Sequence, residues 1–446
     1  MKLSLRRFAA MAAVLAAVLP LAHSLRTTAA PPAAAAHVYA IRGAKVYTLA
    51  GAPVENGTVV IRDGKIAAVG SNVQAPADAQ VIDATGLEVY PGLFDAISNL
   101  GLVEVNAVAA TVDTTDVGPY NPQLVAMTAV HPESELIPVA RASGITHALA
   151  APGGGGGVIP GQASAINLAG WTIDDMLIRR SVAMVVNWPT LETRSFDFAT
   201  FSVKERPFTE IKQEYDKKVD ELADWLERAR HYAQAMEKGS SANYDRDLKL
   251  EALVPVVRAE LPVLVMAEQK RAIRDAVDFA RKQKIKMILA GASEAYQVKD
   301  LLAANHIPVV LGFTQSNPDD EDAPYDQSYA TPGELHAAGI NFAFASVGGE
   351  FDAAWARRLP YQAANAVAYG LPYDEALKAV TLYPAQIFGL ADQLGTIEPG
   401  KMADLIVTDG DPLAIQTQIR YLFIKGELTS TENKQSDLYE KYRKRP

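Results

Sequence analysis

Seven histidines and no cysteine make up the borderline and soft metal-ligand supply of a 446-residue chain, and the histidines stand singly at 23, 37, 131, 147, 231, 306 and 336. No HxH or HExxH occurs, so no two imidazoles share a strand or helix face at the spacing that grips a zinc ion. The missing cysteines exclude a disulfide scaffold, a zinc ribbon, an iron–sulfur cluster and a cysteine nucleophile. Three other patterns suggest chemistry less strongly. Gly291-Ala-Ser293-Glu-Ala295 falls between a strand and a helix, as a nucleophile elbow would, with His306 and His336 downstream. It lacks the second glycine, and Ser293 is equally suited to cap the helix. Gly153–Gly157 has the glycine content of a phosphate cradle but not its GK[ST] ending, and reads as a barrel loop. Asp319-Asp-Glu-Asp322 lacks the spacing and central glycine of a calcium loop, and reads as a solvated segment.

The elements that would position these residues fall into three blocks. Val38–Arg42, Ala44–Leu49, Gly57–Arg62 and Lys65–Val69 are rich in β-formers and separated by turn residues such as Asp63-Gly64, predicting a small antiparallel sheet over 38–90. From 91 to 394 strand and helix patterns alternate. Pro262–Ala267, Lys286–Leu289 and Pro308–Leu311 read as buried strands, with helices over Lys270–Lys282 and Ser293–Ala304. Some 300 residues of this alternation predict a parallel (β/α)8 barrel. Within it, 203–240 is a helical insertion. Ile211, Tyr215, Val219, Leu222, Leu226, Ala229, Ala233 and Met236 recur at steps of three and four, giving Thr209–Lys238 an apolar stripe that packs on the barrel or on a subunit partner. Gly395–Ile397, Leu405–Thr408 and Tyr421–Ile424 return to strand character, so 38–90 and 395–428 together predict one composite β-sandwich domain. Residues 429–446 form a polar tail whose last part, Gln435–Pro446, reads as a frayed helix.

The chain carries a formal charge of −10, and about −14 once the four cations of its first 30 residues are set aside. Such a surface repels phosphate backbones and disfavours nucleic-acid binding. Basic Met1–Arg7 and apolar Phe8–Ala22 have the form of a signal peptide over 1–30, followed by an Ala/Pro linker at 31–37. The apolar run is shorter than the roughly 20 residues a membrane span needs. An exported, periplasmic protein without a span after signal removal is the expectation.

With these blocks in place, the sequence resembles the amidohydrolase superfamily, in its imidazolonepropionase-like, periplasmic branch. The resemblance rests on Val81-Ile-Asp-Ala-Thr-Gly86, Val89-Tyr-Pro-Gly-Leu-Phe-Asp95, Gly144-Ile-Thr146, Val158-Ile-Pro-Gly-Gln162, Ala376–Thr381 with Pro384-Ala385, Gly395–Asp404 and Asp409-Gly-Asp-Pro412. It spans nearly all of 38–428 and is most specific at the two ends. It implies metal-dependent hydrolysis of non-peptide C–N bonds, with zinc or another divalent ion at the carboxyl end of the barrel held by an HxH pair, two further histidines and an aspartate. Such a metal lowers the pKa of a bound water and polarises the scissile carbonyl. In this chain the matching positions hold Ile97 and Asn99 after strand one, Met266 on strand five, Gly291 on strand six and Val347 after strand eight. None offers the required donor.

The expectation is therefore a metal-less, cofactor-free relative that acts as a binding or partner subunit, as a homo-oligomer or beside an active paralogue. Two enzymatic alternatives remain. One is C–N hydrolysis at an atypical barrel-mouth site, drawn from Asp95, Asn99, Glu268, Glu294 and Ser346, with Glu268 and Asp95 the catalytic candidates. The other is serine hydrolysis through Ser293.

Overall fold

The computed structural model describes residues 37–153, 157–197, 201–237, 245–318, 322–347 and 352–445. Residues 1–30, expected to be a signal peptide, Gly154–Gly156 and the first three acids of the 319–322 run lie outside them.

The amino-terminal strands are β1 (Tyr39–Val46), β2 (Val54–Arg62), β3 (Lys65–Gly70), β4 (Gln80–Asp83) and β5 (Glu88–Pro91). Asp63 and Gly64 both take positive φ, +51° and +76°, which matches the two-residue hairpin turn predicted between β2 and β3. The two strands expected over 38–49 are in fact one. Gly43, at φ +81°, absorbs a register shift between Arg42 and Ala44, so β1 continues past it as a bulged strand.

The chain then enters a second sheet: β6 (Leu93–Ser98), β7 (Ile145–Ala150), β8 (Gly161–Asn167), β9 (Leu177–Asn187), β12 (Val263–Ala267), β13 (Met287–Gly291), β14 (Val309–Leu311) and β15 (Phe342–Phe344). Neighbours in this sheet follow chain order, as in a barrel. A separate two-stranded ribbon, β10 (Arg194–Asp197) with β11 (Ser202–Glu205), stands outside it. One feature departs from the all-parallel expectation. β8 is antiparallel to both β7 and β9. β8 follows β7 with no helix between them among the described residues, where a helical crossover was expected. Strand composition carries no sign of direction, so the sequence could not show this reversal.

β16 (Leu405–Thr408), β17 (Ile419–Ile424) and β18 (Glu427–Thr429) return to the first sheet, whose order is β18-β17-β16-β5-β1-β2-β3 with β4 also on β1. β16 pairs antiparallel with β5, Leu405 opposite Pro91, so the two chain ends build one eight-stranded sheet; it is mixed, where 38–90 was expected to be antiparallel, because β1 runs parallel to β4 and β5. Gly395–Ile397 is not a strand in it; Ile397 N donates to Thr48 O at 2.9 Å and the chain passes on.

The sheet and barrel are tied together at the amino ends of the barrel strands. His147 Nε2 lies 2.8 Å from Asp404 Oδ2, and its Nδ1 lies 2.8 Å from Thr146 Oγ1. Both side chains are essentially sealed from solvent, at 3% and 2% exposure. Lys425 N donates to the other oxygen of Asp404. Close approach is required nearby: a Cβ built on Gly92 would land on Thr146 Oγ1.

The long helix runs over Phe208–Glu237. Ile211, Tyr215, Leu222, Leu226, Ala229, Tyr232 and Ala233 are buried, while Met236, expected in the stripe, is 44% exposed at the helix end. Leu222 and Leu226 face Met184, Val186, Val263 and Val265 across a void of only about 20 Å³, so the stripe is covered by the barrel wall. Tyr215 OH fixes the packing, accepting from Trp188 Nε1 at 3.0 Å and donating to Asp275 Oδ2 at 2.6 Å. The tail, expected to fray, forms a helix over Lys434–Tyr442 with Asn433 Oδ1 accepting from Gln435 N and Ser436 N.

Candidate functional site

The barrel mouth is the carboxyl end of its parallel strands, where loops bring side chains from several strands together. Its centre is apolar. Ile97 (2% exposed) and Val347 (6%) belong to one buried cluster with Leu149, Ala151, Leu264, Ala290 and Ala345, and Met266 packs against it. Asn99, just past β6, is half-buried. Gly291 ends β13 at φ +82°, and a Cβ built there would land on Glu268 Oε1. A side chain at 291 would be strained by the left-handed backbone, and the Glu268 carboxylate would have to move aside to admit it. The divalent metal implied by the resemblance does not fit this donor set, because Ile97, Met266, Gly291 and Val347 supply no hard donor atom. Among the described residues no cluster of three or more His, Asp or Glu could hold a metal ion.

The polar groups of the mouth lie to one side. Glu268 follows β12 and accepts from Ser293 N at 3.0 Å. With Gly291, Ser293, Gly312, Phe313, Thr314, Ser316, Ser328 and Thr331 it lines a crevice of about 230 Å³ over the ends of β13 and β14. Glu294 does not join this lining. Its Oε2 accepts from Lys270 N at 2.7 Å, satisfying the first amide of the helix Lys270–Gln283 and favouring its positive end. The helix predicted from Ser293 begins later, as a 3-10 turn at Ala295–Val298 followed by a short helix at Lys299–Ala304, and the Ser293 hydroxyl does not cap it.

Asp95 and Ser346 do come together, but away from the crevice. Asp95 on β6 accepts from Ser346 N at 2.9 Å and from Ser346 Oγ at 2.6 Å, and both residues are fully buried. No strand ladder joins β6 to β15, so this carboxylate bridges the seam where the barrel closes. Burial pushes the Asp95 carboxyl up to about 7, against the hydrogen bonds from Ser346 and Ser98 that favour its charged form.

The serine route is not assembled. Ser293 lies beyond the carboxyl end of β13, whereas His306 precedes β14 at the opposite end of the barrel. His336 lies 3.6 Å from Glu375, and His231 lies 3.2 Å from Glu227 on an exposed helix face. His147, with both ring nitrogens partnered, is the structural histidine the sequence suggested. Sequence reasoning missed Thr314, Ser316, Ser328 and Thr331, because scattered hydroxyl residues in loops form no spacing pattern.

Comparison with known proteins fits this architecture. Residues 273–431 match the amidohydrolase family model. The chain is 25% identical over 406 residues to the amidohydrolase tasK of Hapsidospora irregularis, covering 83% of this chain but only 39% of that relative. Among solved structures, an amidohydrolase from Thermotoga maritima MSB8 superposes with a TM-score of 0.76 at 24% identity, covering 88% of this chain and 99% of the other. A prolidase complexed with N-methylphosphonate-L-proline gives a TM-score of 0.54 at 17% identity, over 89% and 100% of the two chains. The last two likenesses concern the fold.

Proposed function

We propose that this chain is a member of the amidohydrolase superfamily, a reading supported by its similarity to the amidohydrolase family model and to tasK, and that it is an exported member which has given up the metal centre and serves as a ligand-binding or partner subunit. The observation carrying this reading is the mouth itself. Four of the five positions that match the family's ligands hold Ile97, Met266, Gly291 and Val347; Ile97 and Val347 lie in one apolar cluster and Met266 packs against it. The fifth, Asn99, brings a single amide oxygen, too weak to recruit a transition metal alone. An assembly with an active paralogue, or with copies of itself, would give such a subunit its role. The leader at 1–30 would send it to the periplasm, which cell fractionation checks. The deciding measurement is metal content of freshly purified protein by plasma mass spectrometry. Far less than one zinc or manganese per chain is expected, and stoichiometric metal would overturn the reading.

A second reading is favoured by the crevice. Glu268 is exposed at the mouth and could act as general base for C–N hydrolysis without a metal. Under that reading Glu268→Gln removes turnover; retained turnover in the variant rules it out.

A further inference from the structure

We propose that the floor of the barrel carries a binding site for an organic carboxylate with an apolar body, its charged head taken by Arg179 and Lys286. This goes beyond the reading of the mouth and does not depend on it. The end sheet is tied to the floor at β7, and a cavity of about 550 Å³ lies under β9, β12, β13 and β14. That volume is within the roughly 300–1,000 Å³ of small-molecule sites. Arg179 stands near the start of β9, Glu260 before β12, Lys286 before β13 and His306 before β14. The ladder brings these segments side by side: Val263 N donates to Lys286 O at 2.8 Å, and Leu289 N to Pro308 O at 3.0 Å.

The polar groups of the lining can be followed one by one. Arg179 gives one N–H to Gly389 O at 2.9 Å, past the helix Leu382–Ile387, and makes no ion pair among the described residues. Asn305 donates to Leu301 O at 2.8 Å, and the Ser181 hydroxyl donates to Gln162 Oε1. The side chains of Lys286, His306, Gln386 and Glu260 have no hydrogen-bond or ion-pair partner among the described residues. Lys286 therefore has three donors to give, the Gln386 amide two, and His306 at least one in either protonation state. Two permanent cations face one carboxylate, in a chain whose formal charge is −10.

Between these groups the lining is apolar. Leu261, Ile285, Ile307 and Ile387 are half-buried there, and Val182, Ile288 and Phe388 join the cavity to the cluster inside the barrel. An ammonium ligand would meet two cations with one carboxylate to set against them. A neutral ligand would leave both cations without a counter-charge. A bare small anion would supply the charge and leave the apolar walls in water. A carboxylate on a hydrocarbon body meets both demands, by charge-assisted hydrogen bonds and by burial of apolar area.

The test uses the full mature chain in isothermal titration with four probes: phenylacetate, its neutral amide phenylacetamide, the cation phenethylamine, and acetate, which keeps the charge and lacks the ring. Saturable binding of phenylacetate is expected, at least about 10-fold tighter than phenylacetamide or acetate, with no binding of phenethylamine. Lys286→Gln should weaken phenylacetate by about fivefold, and Lys286→Arg should restore it. Glu260→Gln should tighten it, because a like charge is removed. Lys434→Gln, which removes the same charge from the carboxyl-terminal helix, should leave it unchanged, and circular dichroism confirms that each variant folds. The inference is overturned if phenylacetate shows no saturable binding, if phenylacetamide, phenethylamine or acetate binds as tightly, or if Lys286→Gln binds like the parent.

Discussion

The two ends of the barrel use polar residues in opposite ways. At the floor, where the strands begin, Thr146, His147 and Asp404 form a buried, fully partnered chain joining barrel to end sheet. At the mouth, where the strands end, Ile97 and Val347 lie in an apolar cluster with Met266 packed against it, and Gly291 has no side chain. Demanding chemistry at the mouth and architecture at the floor are therefore separable. The histidine–carboxylate contact ties barrel to end sheet at the floor, and among the described residues no group of three or more His, Asp or Glu could hold a metal ion.

Asp404→Ala should show the contrast most strongly. It strands a buried imidazole nitrogen and the Lys425 amide, costing about 4 kcal/mol in denaturant-derived stability. A loss below about 1 kcal/mol would mean that the floor is not held by this contact. Leu226→Ala, on the helix that covers the barrel wall, should cost about 3 kcal/mol by leaving a cavity. Restoring a single donor at the mouth with Ile97→His should cost about 2 kcal/mol, because an imidazole enters an apolar cluster, and should recruit no zinc. Zinc uptake by that variant would show the mouth to be more polar than its side chains indicate.

The seam supplies a pH dependence. Asp95 keeps its proton in the folded protein up to about 7, whereas an unfolded aspartate releases it near 3.9. Between those values the folded state holds more protons, so this group's contribution to stability falls as pH rises from about 4 to 7 and is level above. Asp95→Asn should flatten that slope when variant and parent are compared by urea unfolding across the range; parallel curves would refute the assignment. The smallest effect belongs to Glu268→Gln, expected to change stability by about 0.5 kcal/mol or less, since the residue is exposed and glutamine can still accept from Ser293 N.

What the sequence revealed follows from the range of each signal. The Asp63-Gly64 hairpin and the thirty-residue helix are local patterns, and both formed where expected. The end-to-end sheet was legible as a return to strand character after the barrel, but not in its pairing, because β5 and β16 lie more than 300 residues apart. The His147–Asp404 contact joins residues 257 apart, and no spacing rule reaches that far. The mouth was legible as a lack of histidine, but the Glu268 carboxylate stands over Gly291 only once the loops are folded.

The reversed strand β8 bears on the order in which the barrel is acquired. β7, β8 and β9 form a meander of neighbours in sequence, so its antiparallel pairing can be made with short loops closed. The seam between β6 and β15 must wait for residues 251 apart, Asp95 and Ser346, to find each other. A kinetic nucleus in the meander and a late-closing seam follow, and the amide of Ser346 should be among the last in the barrel to gain protection during refolding.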